Sequence, residues 1–182
     1  MKRATENDAQ PEYLRSLTTD PISFVNKYTL SVHNMTESAV LAVPDSGFAR
    51  LVARENDVFE VRCDFSHNDI LGRRLPAYFL GYNAGAQSSN TPAWVDIPIE
   101  AESGSLMFTG TLTGCTVIVT KLDDKTYRVF HDSRLNSAGL YENVVMATNY
   151  MDYRLPRSEV GIAAAFLHHN GRNWRLITQA AA

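Results

Sequence analysis

The sequence has few cysteines, no long apolar run and no excess of basic charge, and each absence excludes a class of protein. Two cysteines in 182 residues, Cys63 and Cys115, are too few for the disulfide framework of a small secreted scaffold. No apolar run reaches the length of a membrane-spanning helix, so no membrane span is predicted. The net charge of −3, without a cluster of lysines and arginines, argues against a nucleic-acid partner.

The usual motifs for cofactors and metals are also missing. The sequence has no glycine-rich phosphate loop, no serine elbow and no histidine–cysteine spacing typical of a zinc site. His168 and His169 are adjacent, and neighbouring side chains on a strand point to opposite faces, so the two cannot bind one metal there. We therefore predict no cofactor and no metal.

Length and composition predict a single domain. With 45% hydrophobic residues, the chain can bury one substantial core. Residues 1–19 are polar and lack the apolar segment of a signal peptide, so we predict a flexible segment over 1–19 and one domain over 20–182. Such a start fits a cytoplasmic protein, or an effector that a dedicated secretion system exports into the cytosol of a host cell. We expect a monomer.

Short β-type runs separated by turn residues dominate the pattern. Strands are predicted over 28–33, 38–43, 48–54, 58–65, 76–82, 94–100, 116–122, 126–131, 159–168 and 174–179. Asp20 and Pro21 predict a helix start, 66–74 a helical turn and 83–92 a long loop, while 135–150 suits a helix or a strand. Pro98 predicts an edge strand. This is the pattern of a β-rich α+β fold, a β-sandwich of mixed or antiparallel sheets with a few flanking helices.

The two strands over 116–131 form the most informative part of the chain. A turn centred near Asp124 makes them a hairpin, in which His131 should lie opposite Cys115 or one position from it. A thiol beside an imidazole is the minimal nucleophile–base pair. Gly114 permits close approach of a substrate, and backbone amides around Thr113 and Gly114 could hold an oxyanion. Spacing alone equally allows a buried structural cysteine, which is how we interpret Cys63.

Residues 108–115, FTGTLTGC, followed by VFHD at 129–132, resemble the signature of the bacterial glutamine deamidases. This group includes the catalytic domain of the cytotoxic necrotizing factors, Burkholderia lethal factor and, more distantly, the chemoreceptor deamidase CheD. The resemblance implies their β-sandwich fold, Cys115 as nucleophile and His131 as base. It also implies that Thr109, six residues before the cysteine, completes the site. Thr113 stands where serine is commoner.

The resemblance further implies a toxin or effector that deamidates a glutamine of a host protein through a thioester, with transglutamination as a side activity. A Rho-family GTPase is the first expected target and a translation initiation factor the second. Two alternatives stay open. One is a cysteine protease that uses the same pair. The other is a non-catalytic β-sandwich recognition module that binds through Tyr78, Tyr82 and Trp94.

Overall fold

The computed structural model describes residues 11–32, 46–64, 74–81, 92–155 and 161–181. Within them the chain forms three α-helices, one 3-10 helix and eleven strands. The helices are α1 (Pro11–Thr19), α2 (Pro21–Lys27), the 3-10 helix Ser137–Leu140 and α3 (Tyr150–Tyr153). The strands are β1 (Thr29–Ser31), β2 (Ser46–Ala53), β3 (Val58–Asp64), β4 (Arg74–Leu80), β5 (Ala93–Pro98), β6 (Leu106–Thr109), β7 (Thr116–Lys121), β8 (Thr126–Asp132), β9 (Val144–Thr148), β10 (Ala163–His169) and β11 (Trp174–Ala180).

The strands form two sheets. Sheet A has seven strands in the order β1-β3-β2-β4-β6-β10-β11, and sheet B has four in the order β5-β8-β7-β9. Sheet B is antiparallel throughout, whereas sheet A contains two parallel pairs, β1 with β3 and β4 with β6. The predicted β-rich α+β class, with few helices and both mixed and antiparallel sheets, is confirmed. None of the helices in the described ranges is long and apolar enough to cross a membrane.

Sheet A separates two hydrophobic cores. On β6 all four residues are buried, and they alternate between the cores because successive strand side chains point to opposite faces. Leu106 and Phe108 belong to a core shared with α1 and α2. Met107 belongs to the core between the sheets, where it joins Val117 and Val129 of sheet B. The space between the sheets is therefore a packed layer in which any polar group requires a partner.

The two N-terminal helices close the first core. Asp20 caps α2 by accepting a hydrogen bond from the Ser23 amide at 3.1 Å, and Pro21 occupies the first turn, so the predicted helix start is confirmed. Helix α1 lies inside the segment 1–19 that was expected to be flexible. Its Leu14 and Leu17 are buried in the first core, so residues 11–19 are packed against the domain.

The central hairpin forms as predicted in outline, with the loop at 122–125 between β7 and β8. Its register differs, because His131 lies opposite Val117 and not opposite Cys115 or the next residue. The turn is centred on Asp124, since Lys121 pairs with Tyr127, and this shifts the partner of His131 one residue beyond the two expected positions. His131 and Cys115 still share a face, two residues apart along the hairpin.

Several other predictions have outcomes in the strands. Strand β5, which ends at Pro98, is an edge strand of sheet B as predicted. The ambiguous stretch 135–150 contains the 3-10 helix and β9, and His168 and His169 end β10. The predicted strand over 38–43, most of the helical turn over 66–74 and most of the loop over 83–92 lie outside the described residues.

Candidate functional site

A hydrogen bond between Thr109 and His131 joins the two sheets. Thr109 ends β6 in sheet A, His131 lies on β8 in sheet B, and the threonine Oγ1 is 2.7 Å from the imidazole Nδ1. Thr109 is fully buried and His131 is 2% exposed. The imidazole is thus held in one orientation by a hydroxyl, which is the part that a positioning residue plays in a nucleophile–base pair.

Cys115 lies directly before β7 and faces the same inter-sheet space. It belongs to the core that contains Val117, Val119 and Val129, and it is 3% exposed. Because His131 pairs with Val117, Cys115 is its diagonal neighbour on one face of the hairpin, at a typical separation of roughly 7 Å between backbones. The structure therefore brings Thr109, His131 and Cys115 into one buried region.

Burial changes the protonation of both reactive groups. Loss of solvent raises the pKa of the Cys115 thiol, and the carboxylate of Asp132 acts in the same direction, against a hydrogen bond from the Thr113 backbone. Burial lowers the pKa of His131 from 6.5 to about 4, and Asp132 opposes this only in part. Both shifts favour a neutral thiol beside a neutral imidazole, and not the thiolate–imidazolium pair of an activated cysteine.

The backbone around Cys115 is held by Tyr153 of α3. Its hydroxyl accepts a hydrogen bond from the Gly114 amide at 3.0 Å and donates one to the Cys115 carbonyl oxygen at 2.8 Å. Gly114 has φ of +93°, a conformation that favours glycine, and Leu135 packs over it. The Gly114 amide, expected to serve an oxyanion hole, is therefore engaged by Tyr153 in this state of the domain.

A second network, built around the buried carboxylate of Asp132, lies on the opposite face of the hairpin. The carboxylate of Asp132 is bound by the Arg134 guanidinium at 2.7 Å and by the Tyr141 hydroxyl at 2.8 Å. These hydrogen bonds, strongest from Arg134, hold the pKa of Asp132 at about 2 despite its burial. The network fixes the segment that follows β8 against the outer face of sheet B. Among the described residues, no cluster of three or more His, Cys, Asp or Glu side chains could hold a metal.

The outer face of sheet B carries an exposed aromatic–cation pair. Trp94 on β5 is 46% exposed, and the Arg128 guanidinium stacks over its ring, 3.9 Å from the centroid. Asp96 holds the same guanidinium through two hydrogen bonds of 2.8 Å. The three side chains lie on neighbouring strands, because Asp96 pairs with Arg128 and Trp94 pairs with Phe130.

Large apolar side chains continue this surface toward β9. Val144 is opposite Thr120 in the same cross-strand row as Asp96 and Arg128, and Val145 follows it at a bulge. Both valines are exposed, as is Leu122 in the hairpin loop, and they line a shallow depression of about 350 Å³. We call Trp94, Asp96, Arg128, Leu122, Val144 and Val145 the sheet B surface.

Of the three aromatics suggested for a recognition module, Trp94 alone is described as exposed. Tyr78 packs edge-on against Trp174 at the inter-sheet core, and Tyr82 lies outside the described residues.

Sequence reasoning missed Tyr153 and Arg128. Tyr153 is 38 positions from Cys115 and carries no local signal. Arg128 could have been found from its alternation with the apolar Val129 on the predicted strand, which places it on the solvent face.

The chain was compared with known protein families. A family model described as the Mcf1 activator-binding domain matches residues 12–181, which covers the domain from α1 to β11. No curated protein matches the sequence.

Proposed function

The chain belongs to the Mcf1 activator-binding domain family, and from this we propose that it is a binding domain whose partner is a protein that acts as an activator. The structural observation that supports this proposal is the Trp94–Arg128 pair on the sheet B surface. Tryptophan and arginine are, with tyrosine, the side chains enriched where a few residues carry most of the binding energy of an interface.

The geometry of the pair suits it to recognition. Asp96 fixes the Arg128 guanidinium before any partner arrives, so little side-chain entropy would be lost on binding. The indole ring offers a broad apolar surface, and Val144 and Val145 extend it across the sheet. A partner that places an apolar cleft over Trp94 would bury this surface while the polar rim stays hydrated.

An affinity experiment with matched variants tests the proposal. The full chain, Trp94→Ala and Ile22→Ala are immobilised and exposed to host-cell extract, and proteins retained by the full chain are identified, purified and titrated against all three. Ile22 is a suitable control because it is also exposed, at 48%, but lies on α2. We expect Trp94→Ala to weaken binding of the purified partner at least tenfold, with Ile22→Ala unchanged. Equal affinities of the partner for all three proteins would show that the sheet B surface is not part of the interface.

A second candidate function is glutamine deamidation, which the Thr109–His131 bond and the nearby thiol favour. In this reading Cys115 Sγ would attack the side-chain carboxamide carbon of a host-protein glutamine, and His131 would take the thiol proton. His131 would return that proton to the departing ammonia, leaving a thioester, and water would then release glutamate. An amine in place of water would give transglutamination. The domain would then share the sandwich fold of the necrotizing factors and CheD, and would act in a host cell after export.

The two candidates are compatible if partner binding exposes the buried pair. In the free domain, burial disfavours the thiolate and Tyr153 engages the Gly114 amide, so activity would require movement of α3. The test incubates the domain, with and without the purified partner, with a Rho-family GTPase and then a translation initiation factor. Deamidation adds about 1 Da to the target and releases ammonia. Full activity in Cys115→Ser would exclude the thiol mechanism, and peptide fragments would indicate a protease.

A further inference from the structure

We infer that the seam between β1 and β11, the two edges of sheet A, binds an extended segment of a protein partner, which pairs with β1 in place of the Gln179 side chain. This inference rests on the proposed binding function. It adds a second contact between the domain and its partner, in which the domain binds backbone N–H and C=O groups of the partner segment. The argument depends on the position of one amide side chain.

Gln179 ties the two edges together. Strands β1 and β11 stand at opposite ends of the strand order of sheet A, yet the side chain of Gln179 on β11 reaches β1. Its Oε1 accepts a hydrogen bond from the Leu30 amide at 2.7 Å, and its Nε2 donates to the carbonyl oxygens of Tyr28 at 2.7 Å and Val25 at 2.5 Å. Sheet A therefore curls until a single side chain bridges its open edges.

The pattern of these bonds is that of a parallel strand. In a parallel ladder, one residue accepts from the amide of residue i+1 and donates to the carbonyl of residue i−1 on its neighbour. Gln179 does this around Thr29, with Leu30 as i+1 and Tyr28 as i−1. Thr29 itself donates to the Asp57 carbonyl on the β3 side at 3.0 Å, so Tyr28 and Leu30 point to the other edge. The side-chain amide thus replaces the N–H and C=O groups of one residue of a missing strand.

The seam also has space for side chains. A cavity of about 220 Å³ lies along it, lined by Thr29, Leu30, Ile162, Ala164 and Gln179 among others. This is below the volume of a typical small-molecule pocket, roughly 300 Å³ or more, but an extended peptide needs room only for alternate side chains. The mostly apolar lining favours small apolar residues at those positions, and Ile162, which is 43% exposed, marks the entrance.

Displacement predicts an unusual response to mutation. If the partner segment takes the bonds that Gln179 makes, then removing the side chain removes an internal competitor. Gln179→Ala should therefore bind the segment more tightly than the wild type although the free domain is less stable. Thr148→Val serves as the control. It loses the hydroxyl that is 2.8 Å from Thr178 Oγ1, on the face of β11 opposite to Gln179, so it should lower stability without removing a bond to β1.

The experiment uses a phage-displayed library of linear twelve-residue peptides, selected on the wild type and on Gln179→Ala. Selected peptides are synthesised, and each is accompanied by a control peptide of the same sequence that is N-methylated at alternate residues. All are titrated against the wild type and both variants. Amide exchange of Leu30 is followed by NMR.

We expect the peptides to bind Gln179→Ala at least fivefold more tightly than the wild type, and Thr148→Val no more tightly than the wild type. The Leu30 amide should exchange more slowly in the complex, and the N-methylated control peptides should not bind. Absence of any selected peptide, weaker or equal binding to Gln179→Ala, or unchanged Leu30 exchange would each overturn the inference. A partner that depends on Trp94 but not on Gln179 would leave the binding function intact and exclude only the seam. The absence of any protein partner would instead count against the binding function itself.

Discussion

Thr109 on sheet A and His131 on sheet B are joined by one hydrogen bond, 2.7 Å between Oγ1 and Nδ1, and both side chains are buried between the sheets. The bond borders the apolar inter-sheet core, because Met107 is two residues before Thr109 on β6 and Val117 lies opposite His131. It therefore influences both the stability of the sandwich and the orientation of the imidazole.

Thr109→Val keeps the shape of the side chain and removes the hydroxyl. We expect a loss of about 1–3 kcal/mol in the free energy of unfolding, because a buried imidazole nitrogen loses its hydrogen bond with threonine. Thr109→Ser retains the hydroxyl and should lose less. Urea unfolding measures both, and a midpoint for Thr109→Val equal to that of the wild type would show that the bond does not stabilise the domain.

The stability of the domain should depend on pH through His131. Its pKa is about 4 when folded and near its usual 6.5 when unfolded, so the unfolded chain binds more protons between these values. The contribution of His131 to the free energy of unfolding is therefore fully present above pH 6.5. It is lost as the pH drops toward 4, by up to about 3 kcal/mol. His131→Gln should flatten the curve between pH 7 and 5. A curve unchanged by that substitution would assign the pH dependence to other groups, such as His169, whose pKa burial also lowers.

Cys115 should react slowly with iodoacetamide at neutral pH. Burial raises its thiol pKa and hides the sulfur, so we expect alkylation at least tenfold slower than that of a free thiol such as glutathione. Peptide mass spectrometry reports Cys115 separately from Cys63. Tyr153→Phe removes the hydroxyl that holds Gly114 and the Cys115 carbonyl, and it should raise the rate for Cys115. Rapid alkylation of the unmodified domain would mean that the thiol is already activated.

Asp132→Asn tests the network on the other face of the hairpin. The carboxylate accepts from Arg134 and Tyr141, and its pKa of about 2 lies below the usual 3.8. Its contribution is present above pH 3.8 and is lost as the pH falls toward 2, which corresponds to about 2 kcal/mol. We expect the variant to unfold at lower urea concentration at pH 7 and to differ less from wild type at pH 3. An equal difference in stability between variant and wild type at both pH values would contradict an ionic origin of the stabilisation by Asp132.

Local signals predicted the parts of the fold that depend on local chemistry. Asp20 and Pro21 fixed the start of α2 because capping acts within one turn. Pro98 marked an edge strand because proline has no amide to donate to a neighbour. The hairpin was found from its β-branched runs, but its register depended on a loop length that composition does not determine.

The remaining features depend on contacts between distant residues. Helix α1 is short and polar overall, and the burial of Leu14 and Leu17 against sheet A stabilises it. Tyr153 reaches the Cys115 turn, and Gln179 reaches β1, from 38 and 149 positions away. Neither residue has a sequence neighbour that marks it. The motif around Cys115 and His131 was visible, but the burial that sets their protonation requires the folded sheets.

The four-residue strand β6 restricts how the length of this chain can change. Since Leu106 and Phe108 fill one core while Met107 and Thr109 face the other, inserting or deleting a single residue there would exchange the contents of the two cores. The hairpin loop at 122–125 has no such restriction, because its residues are exposed. Among relatives of this domain, differences in length should therefore accumulate at the hairpin tip, while the spacing between Leu106 and Thr109 stays constant.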